Sequence, residues 1–173
     1  KDVRAKSKHS NPHLDTSLTH LNTSIHGLET GTDYSYAQMC SLYDEKIEEA
    51  DEAGSSTRKD RVTMLTFISY APEGLPEDKQ DEWFLKVADI QRELFGADNF
   101  IDGHIDRDEQ HEYVDPDTVE VMTSRVHMCS YIIPRKEDGK LCAKDLTKRS
   151  VLVKQNKLIN EMSIRDYGVE YVT

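Results

Sequence analysis

Hydrophobic residues recur along this chain in two distinct periods, and the two alternate. Between Ser35 and Glu52, Tyr36, Met39, Cys40, Tyr43 and Ile47 fall three or four apart with acidic residues between them. That is the spacing of an amphipathic helix, and Gly54 with the following Ser-Ser-Thr ends it. Arg61–Tyr70, RVTMLTFISY, is instead β-branched and aromatic and is closed by Pro72, which predicts a strand. Glu77–Phe95 returns to the helical period, with Trp83, Phe84, Val87, Ile90, Leu94 and Phe95 on one side and Gly96 as the stop. Short strands are predicted over Asn99–Asp106 and Glu112–Val114. Met122–Pro134, MTSRVHMCSYIIP, carries the longest strand signal of the second half, and the Lys-Glu-Asp-Gly after it is a turn. Lys144–Ser163 is predicted helical and Val169–Val172 a last short strand. Residues 1–27 keep neither period and are rich in Ser, Thr and Asn, which predicts an ordered loop or short extended segments.

Helices and strands in this order predict an α+β fold, a largely antiparallel sheet flanked by helices, within one domain spanning residues 1–173. The length of 173 residues suits a single ordinary domain that needs no staple to fold. Three cysteines, Cys40, Cys129 and Cys142, are an odd number without CxxC spacing. They argue against a disulfide framework or a structural zinc cluster, and make a reducing, cytoplasmic setting the default. No run of eighteen apolar residues and no signal-peptide pattern supports a membrane span or secretion. The chain begins at Lys1 rather than Met, as a processed or trimmed product would.

Charge changes this picture more than composition does. The net charge of -11 argues against a uniformly basic, general polyanion binder. The distribution is uneven. Residues 1–32 carry four basic and three acidic side chains, residues 33–134 carry 9 and 24, and residues 135–173 carry 9 and 6. If the chain touches a phosphate backbone, the two ends are the expected surfaces, and the acidic middle repels it unless a cation intervenes. The phosphate-contact candidates are therefore Arg4, Lys6, Lys8, Lys144, Lys148 and Arg149. His9, His13, His20 and Asn22 are candidate hydrogen-bond donors beside them.

Candidate chemistry concentrates at His104, His111, His127 and Cys129. In a strand His127 and Cys129 share a face, about 6–7 Å apart along the backbone. Antiparallel pairing of the His104 strand with theirs brings a third nitrogen close. Such a set, with one position left for water or phosphate, suits Zn, Mn, Co or Ni, and the cysteine pulls the preference toward Zn. Equally, the histidines are compatible with surface or structural roles and the cysteine with a small buried side chain. There is no Gly-rich phosphate loop, no GxSxG and no HExxH, so nucleotide-kinase, α/β-hydrolase and zincin chemistry have no local support.

Two segments carry a family resemblance. HSNPHLDTSLTHLN, residues 9–22, resembles the amino-terminal motif of the Mob/Pre (MobV-type) plasmid mobilisation and recombination proteins, which are relaxases of the histidine-hydrophobe-histidine (HUH) endonuclease class. His104-Ile105-Asp106, resuming at His127-Met128-Cys129 through Pro134, Asp138-Gly139-Lys140-Leu141 and Lys144, resembles its metal motif and the strand and turn that follow. The resemblance implies an HUH relaxase-like fold and a magnesium- or manganese-assisted enzyme of plasmid recombination and conjugation. Such an enzyme nicks and rejoins one strand of an origin-like site, presented as single strand or hairpin, with relaxosome proteins or further domains as partners. It also implies His104, His127 and, where the family has a histidine, Cys129 as ligands. His111, in a long spacer, is a substitute ligand, and Asp106 is the acidic residue beside the first ligand. Arg107 stands where a second acidic residue is usual. The family's nucleophile can be a histidine just before the first motif, a position that falls here at or before Lys1, as if the amino-terminal strand were missing. The tyrosine that often follows His-Leu-Asn is Thr23, which leaves Tyr34 and Tyr36 as the alternatives. Two other functions stay open on the residues: a catalytically silent DNA-binding or replication-initiator-type module, and an acidic protein-interaction domain.

Overall fold

The computed structural model describes residues 15–109, 112–114, 121–123 and 125–172, with only the backbone described at 112–114, 122 and 123. A 3-10 turn at Thr19–Leu21 leads into β1 (Thr23–Ser24) and α1 (Ile25–Thr30). There follow α2 (Tyr36–Glu52), β2 (Leu65–Tyr70), α3 (Gln80–Phe95), β3 (Phe100–Asp106), β4 (Glu112–Val114), β5 (Val121–Thr123), β6 (His127–Ile132), α4 (Ala143–Leu146) and α5 (Arg149–Tyr167). Four strands form one sheet in the order β1-β3-β6-β2, antiparallel throughout, while β4 and β5 pair as a separate ribbon.

Local chemistry accounts for the helix ends. The Ser35 side chain accepts from the Gln38 N–H while Gln38 reaches back to the Ser35 N–H, a reciprocal cap that starts α2. Asp81 and Glu82 lie in the first turn of α3, where the helix dipole favours negative charge. Gly96, at φ 93°, ends that helix in a conformation that other residues resist. Ser24 caps α1 by accepting from the Gly27 N–H.

Alternation along the strands separates two faces. Phe67, Ile105, Met128 and Ile132 point into one core with Trp83, Phe84, Val87, Ala88 and Phe95 of α3 and Ile159 and Met162 of α5. Phe67 stacks on Phe95 with ring centroids 4.9 Å apart. The indole N–H of Trp83 donates to the Ser163 hydroxyl at 2.8 Å, so the largest core side chain leaves no polar atom stranded. Gly103 faces the same core, and a Cβ there would lie 2.7 Å from Met128 Sδ and 3.0 Å from Ile25 Cγ1. The opposite face carries His104, Asp106, His127, Cys129, Ile68 and Tyr70.

Four expectations are corrected. The strand expected over 122–134 is interrupted: β5 and β6 belong to different sheets. The helix expected over 144–163 is two, α4 and α5, broken at Thr147–Lys148. Val169–Val172 forms no strand; its backbone is tied to α5 through Tyr171 N–H donating to Asn160 Oδ1 at 2.8 Å, and Tyr171 packs against Trp83. The loop or extended segment expected over 1–27 holds a short strand at Thr23–Ser24 but ends in helix, because Ile25–Gly27 open α1.

Candidate metal centre

The pairing register assembles the site. Asp106 lies directly opposite His127, and His127 opposite Tyr70; one step in from the strand ends, His104 lies opposite Cys129, and Cys129 opposite Ile68. Directly opposed residues project to the same face with Cβ atoms about 4.5–5.5 Å apart. Donor atoms of Asp106, His127 and Cys129 fall within 4.8 Å of one another, the one such group found among the described residues. Asp106 and His127 are buried and Cys129 half-buried.

Two histidines orient this group differently. His127 Nδ1 lies 3.2 Å from the Arg125 carbonyl, which can only accept, so Nδ1 carries the proton. Nε2 faces Asp106 Oδ2 at 3.7 Å and Glu109 Oε2 at 3.5 Å, and is the nitrogen open to a bound ion. His104 Nε2 lies 3.2 Å from Asp106 Oδ1, on the other side of that carboxylate. Hydrogen bonding to Asp106, reinforced by the charges of Asp106, Asp33 and Asp102, raises the His104 pKa above the usual imidazole value against the opposing effect of burial. In this geometry His104 holds the carboxylate, and Asp106 completes the donor trio.

A buried carboxylate latches the amino-terminal segment to the same end of the sheet. Asp108 is 4% exposed. Its two oxygens accept from Asn22 Nδ2 and the Thr19 hydroxyl, each at 2.7 Å, and its carbonyl accepts from the Asp15 N–H at 2.8 Å. Asn22 Oδ1 in turn accepts from the Arg107 N–H at 2.8 Å. Burial works to raise the Asp108 pKa, and the hydrogen bonds from Asn22 and Thr19 outweigh it, leaving the pKa below the ordinary carboxylate value. Arg107 donates to the Leu21 carbonyl at 2.9 Å and pairs with Asp81, bracing the same segment. Nothing local in the sequence announces this latch, because the Asn22 to Asp108 separation gives no periodic signal.

The remaining candidates are dispersed. His20 is exposed, its Nδ1 2.8 Å from the Ser17 carbonyl. The Tyr34 ring stacks on His26 at 3.6 Å, and Tyr36 opens α2 half in solvent. Lys144, Lys148 and Arg149 are exposed, Lys148 pairing with Asp145 at 2.6 Å. They follow β6 and the Arg135–Leu141 bridge in the chain, at α4 and the start of α5, and none of them belongs to the donor group. Lys1, Arg4, Lys6, Lys8, His9, His13 and His111 lie outside the described residues.

A family profile described as Mob_Pre, plasmid recombination enzyme, matches residues 1–170. The chain belongs to the Mob/Pre family. Among solved structures, a Mn-bound MobM relaxase domain with a 22-nucleotide pMV158 oriT DNA and 3′-thiophosphate shares 21% identity with this Mob/Pre chain. The TM-score is 0.72, over 98% of this chain and 79% of that one. A second Mn-bound MobM complex with 22-nucleotide oriT DNA gives 22% identity and a TM-score of 0.70 over 98% and 81%. A complex with 26-nucleotide DNA gives 18% and 0.57 over 88% and 91%. These likenesses show a shared fold. No curated protein matches the Mob/Pre chain. No helix among its described residues is long and apolar enough to cross a membrane.

Proposed function

We propose that this Mob/Pre chain is a divalent-metal-dependent relaxase that nicks and rejoins one strand at an origin-like DNA site in plasmid or mobile-element mobilisation. The observation that carries the reading is the Asp106, His127 and Cys129 donor set, on adjacent strands of a Mob/Pre fold. The set fits an ion: its donors are buried or half-buried, one imidazole is held by the Arg125 carbonyl with Nε2 facing the other donors, and bonds of about 2.0–2.3 Å need only small inward shifts. A divalent ion bound there polarises a phosphate oxygen and offsets charge developing on it.

The chain's own residues supply the rest. The carboxylates of Asp106, Asp108 and Glu109 give this end of the sheet a negative field that concentrates a cation, and they would repel bare phosphate. This explains why so acidic a middle segment is compatible with a DNA ligand. Tyr70, 36% exposed, and Ile68, 52% exposed, form an apolar ledge beside His127 and Cys129. The Arg125 guanidinium lies 5.8 Å from the Tyr70 ring centroid. Bases of a single strand stack on such a ledge while the guanidinium meets the backbone. The latch through Asn22 and Asp108 holds the amino-terminal segment at the end of β3, on the β1 side of the sheet and across β3 and β6 from this ledge. In the nick, one phosphorus–oxygen bond breaks, the 3′ oxygen leaves as a hydroxyl, and the 5′ phosphate passes to a protein nucleophile.

The test is incubation with supercoiled DNA of the element that carries the gene, with Mn²⁺, with Mg²⁺, with Zn²⁺ and with chelator. The expected result is an open-circular product with at least one ion, none with chelator and none with His127→Ala, and a covalent DNA adduct on one residue identified by mass spectrometry. Tyr34 and Tyr36 are the described candidates for that adduct. Saturable DNA binding without nicking under any ion would favour the catalytically silent module.

A further inference from the structure

We infer that this centre is thiophilic: the set of Asp106, His127 and Cys129 is built for zinc or a zinc-like ion, with the Cys129 thiolate as a ligand. The inference rests on the reading that the set holds the divalent ion, and it specifies which ion the site selects. Cys129 sits in the interior strand β6, flanked on one side by His104 of β3 and on the other by Ile68 of β2. Strand alternation therefore directs its sulfur to the face that His127 occupies two residues earlier. The sulfur is one of the three atoms within 4.8 Å of one another.

The chemistry of the donors decides the preference. Magnesium demands near-octahedral oxygen coordination, and this trio offers it one carboxylate, one imidazole and one sulfur. Zinc accepts sulfur, nitrogen and oxygen together in a four-coordinate shell, and three protein ligands leave the fourth place for a phosphate oxygen. Thiolate donation discriminates against manganese, a harder ion, more than a nitrogen or oxygen in the same place. The outer partners match this assignment. The Arg125 carbonyl fixes His127 with Nε2 as donor, and His104 occupies Asp106 Oδ1, leaving Oδ2 on the His127 side. His104 is thus a positioning residue here. The other two cysteines belong to no such group among the described residues: Cys142 donates to Asp145 Oδ2 at 3.2 Å, and Cys40 lies on α2.

Zinc outranks manganese at almost any nitrogen and oxygen site, so a tighter zinc constant alone would prove nothing. The informative quantities are a spectroscopic signature of sulfur and the change in ion ratio when sulfur is removed. Metal-free protein is titrated with Co²⁺ and followed by absorption, and Zn²⁺ and Mn²⁺ affinities are measured for the wild type, Cys129→Ser and Cys129→His. The expected result is a near-ultraviolet sulfur-to-cobalt charge-transfer band in the wild type alone. Cys129→His keeps saturable cobalt binding without that band, which shows that the site still folds. The Zn:Mn affinity ratio falls at least about tenfold in Cys129→Ser. Cobalt binding with no charge-transfer band and an unchanged ratio would overturn the thiophilic assignment and leave the metal-dependent relaxase reading standing. No saturable binding of any of the three ions would overturn both.

Discussion

Asn22→Ala tests whether the latch on Asp108 has the energetic weight that the structure gives it. The substitution removes the donor to Asp108 Oδ1 and the acceptor for the Arg107 N–H, at 2.7 and 2.8 Å. A hydrogen bond to a charged group contributes about 1.5–3 kcal/mol and a neutral one about 0.5–1.5 kcal/mol. Asn22 is half-buried, so water replaces part of this, while Thr19 still serves the other carboxylate oxygen. The net cost is about 2–3 kcal/mol, which in a domain of this size lowers Tm by roughly 5–10 °C. Thermal unfolding followed by circular dichroism at pH 7 measures it, and amide exchange over residues 15–22 reports local release. The pH dependence has a definite sign. The folded pKa of Asp108 is depressed, so the latch contributes fully above the unfolded value near about 3.9 and is lost as pH falls through the lower folded value. The gap between wild type and variant is therefore flat from pH 7 to about 5 and narrows below about 4. A Tm within about 1 °C of wild type at pH 7 would refute the latch, and a gap that persists undiminished in acid would refute its assignment to ionised Asp108.

Two further outcomes follow from packing and charge. Gly103→Ala places a methyl group against Met128 and Ile25, and overpacking of this kind costs about 1–3 kcal/mol, visible as a lower denaturation midpoint at unchanged m-value. A midpoint equal to wild type would mean that Met128 moves aside freely. Single-stranded DNA affinity falls linearly on a log–log plot against salt, and Arg125→Ala makes the slope shallower by about one phosphate contact, whereas Lys148→Ala, whose charge is already paired with Asp145, changes it less. The reverse order would place the strand along the Lys144–Arg149 surface instead.

Much of the fold was legible because the elements that build it have strong periods. α2, α3, β2 and β3 begin within a few residues of where hydrophobic spacing and caps put them. What escaped notice was short or irregular. Ile25–Thr30 is only six residues long with Gly27 inside it, too little for a helical period to stand out. Val169 and Tyr171 alternate like a strand, but Tyr171 reaches Trp83, so burial is satisfied by a helix rather than by a sheet. At the candidate centre, the pairing of His127 with Cys129 follows from a two-residue repeat, and the antiparallel partner strand was anticipated. The exact third donor depended on register. Two residues along β3 separate the row where His104 opposes Cys129 from the row where Asp106 opposes His127, and His104 Nε2 lies 3.2 Å from the Asp106 carboxylate. The latch joins side chains more than eighty residues apart, and no local pattern announces such a contact.

The most direct test of the central claim is a calorimetric titration of the metal-free protein with Mn²⁺, run beside His127→Ala after both have been shown to unfold cooperatively. With Zn²⁺ titrated in parallel, the account predicts saturable binding of one ion per chain in the wild type, for at least one of the two metals, and its loss in the variant. Binding of equal strength in both proteins, or of neither metal in either protein, would contradict it.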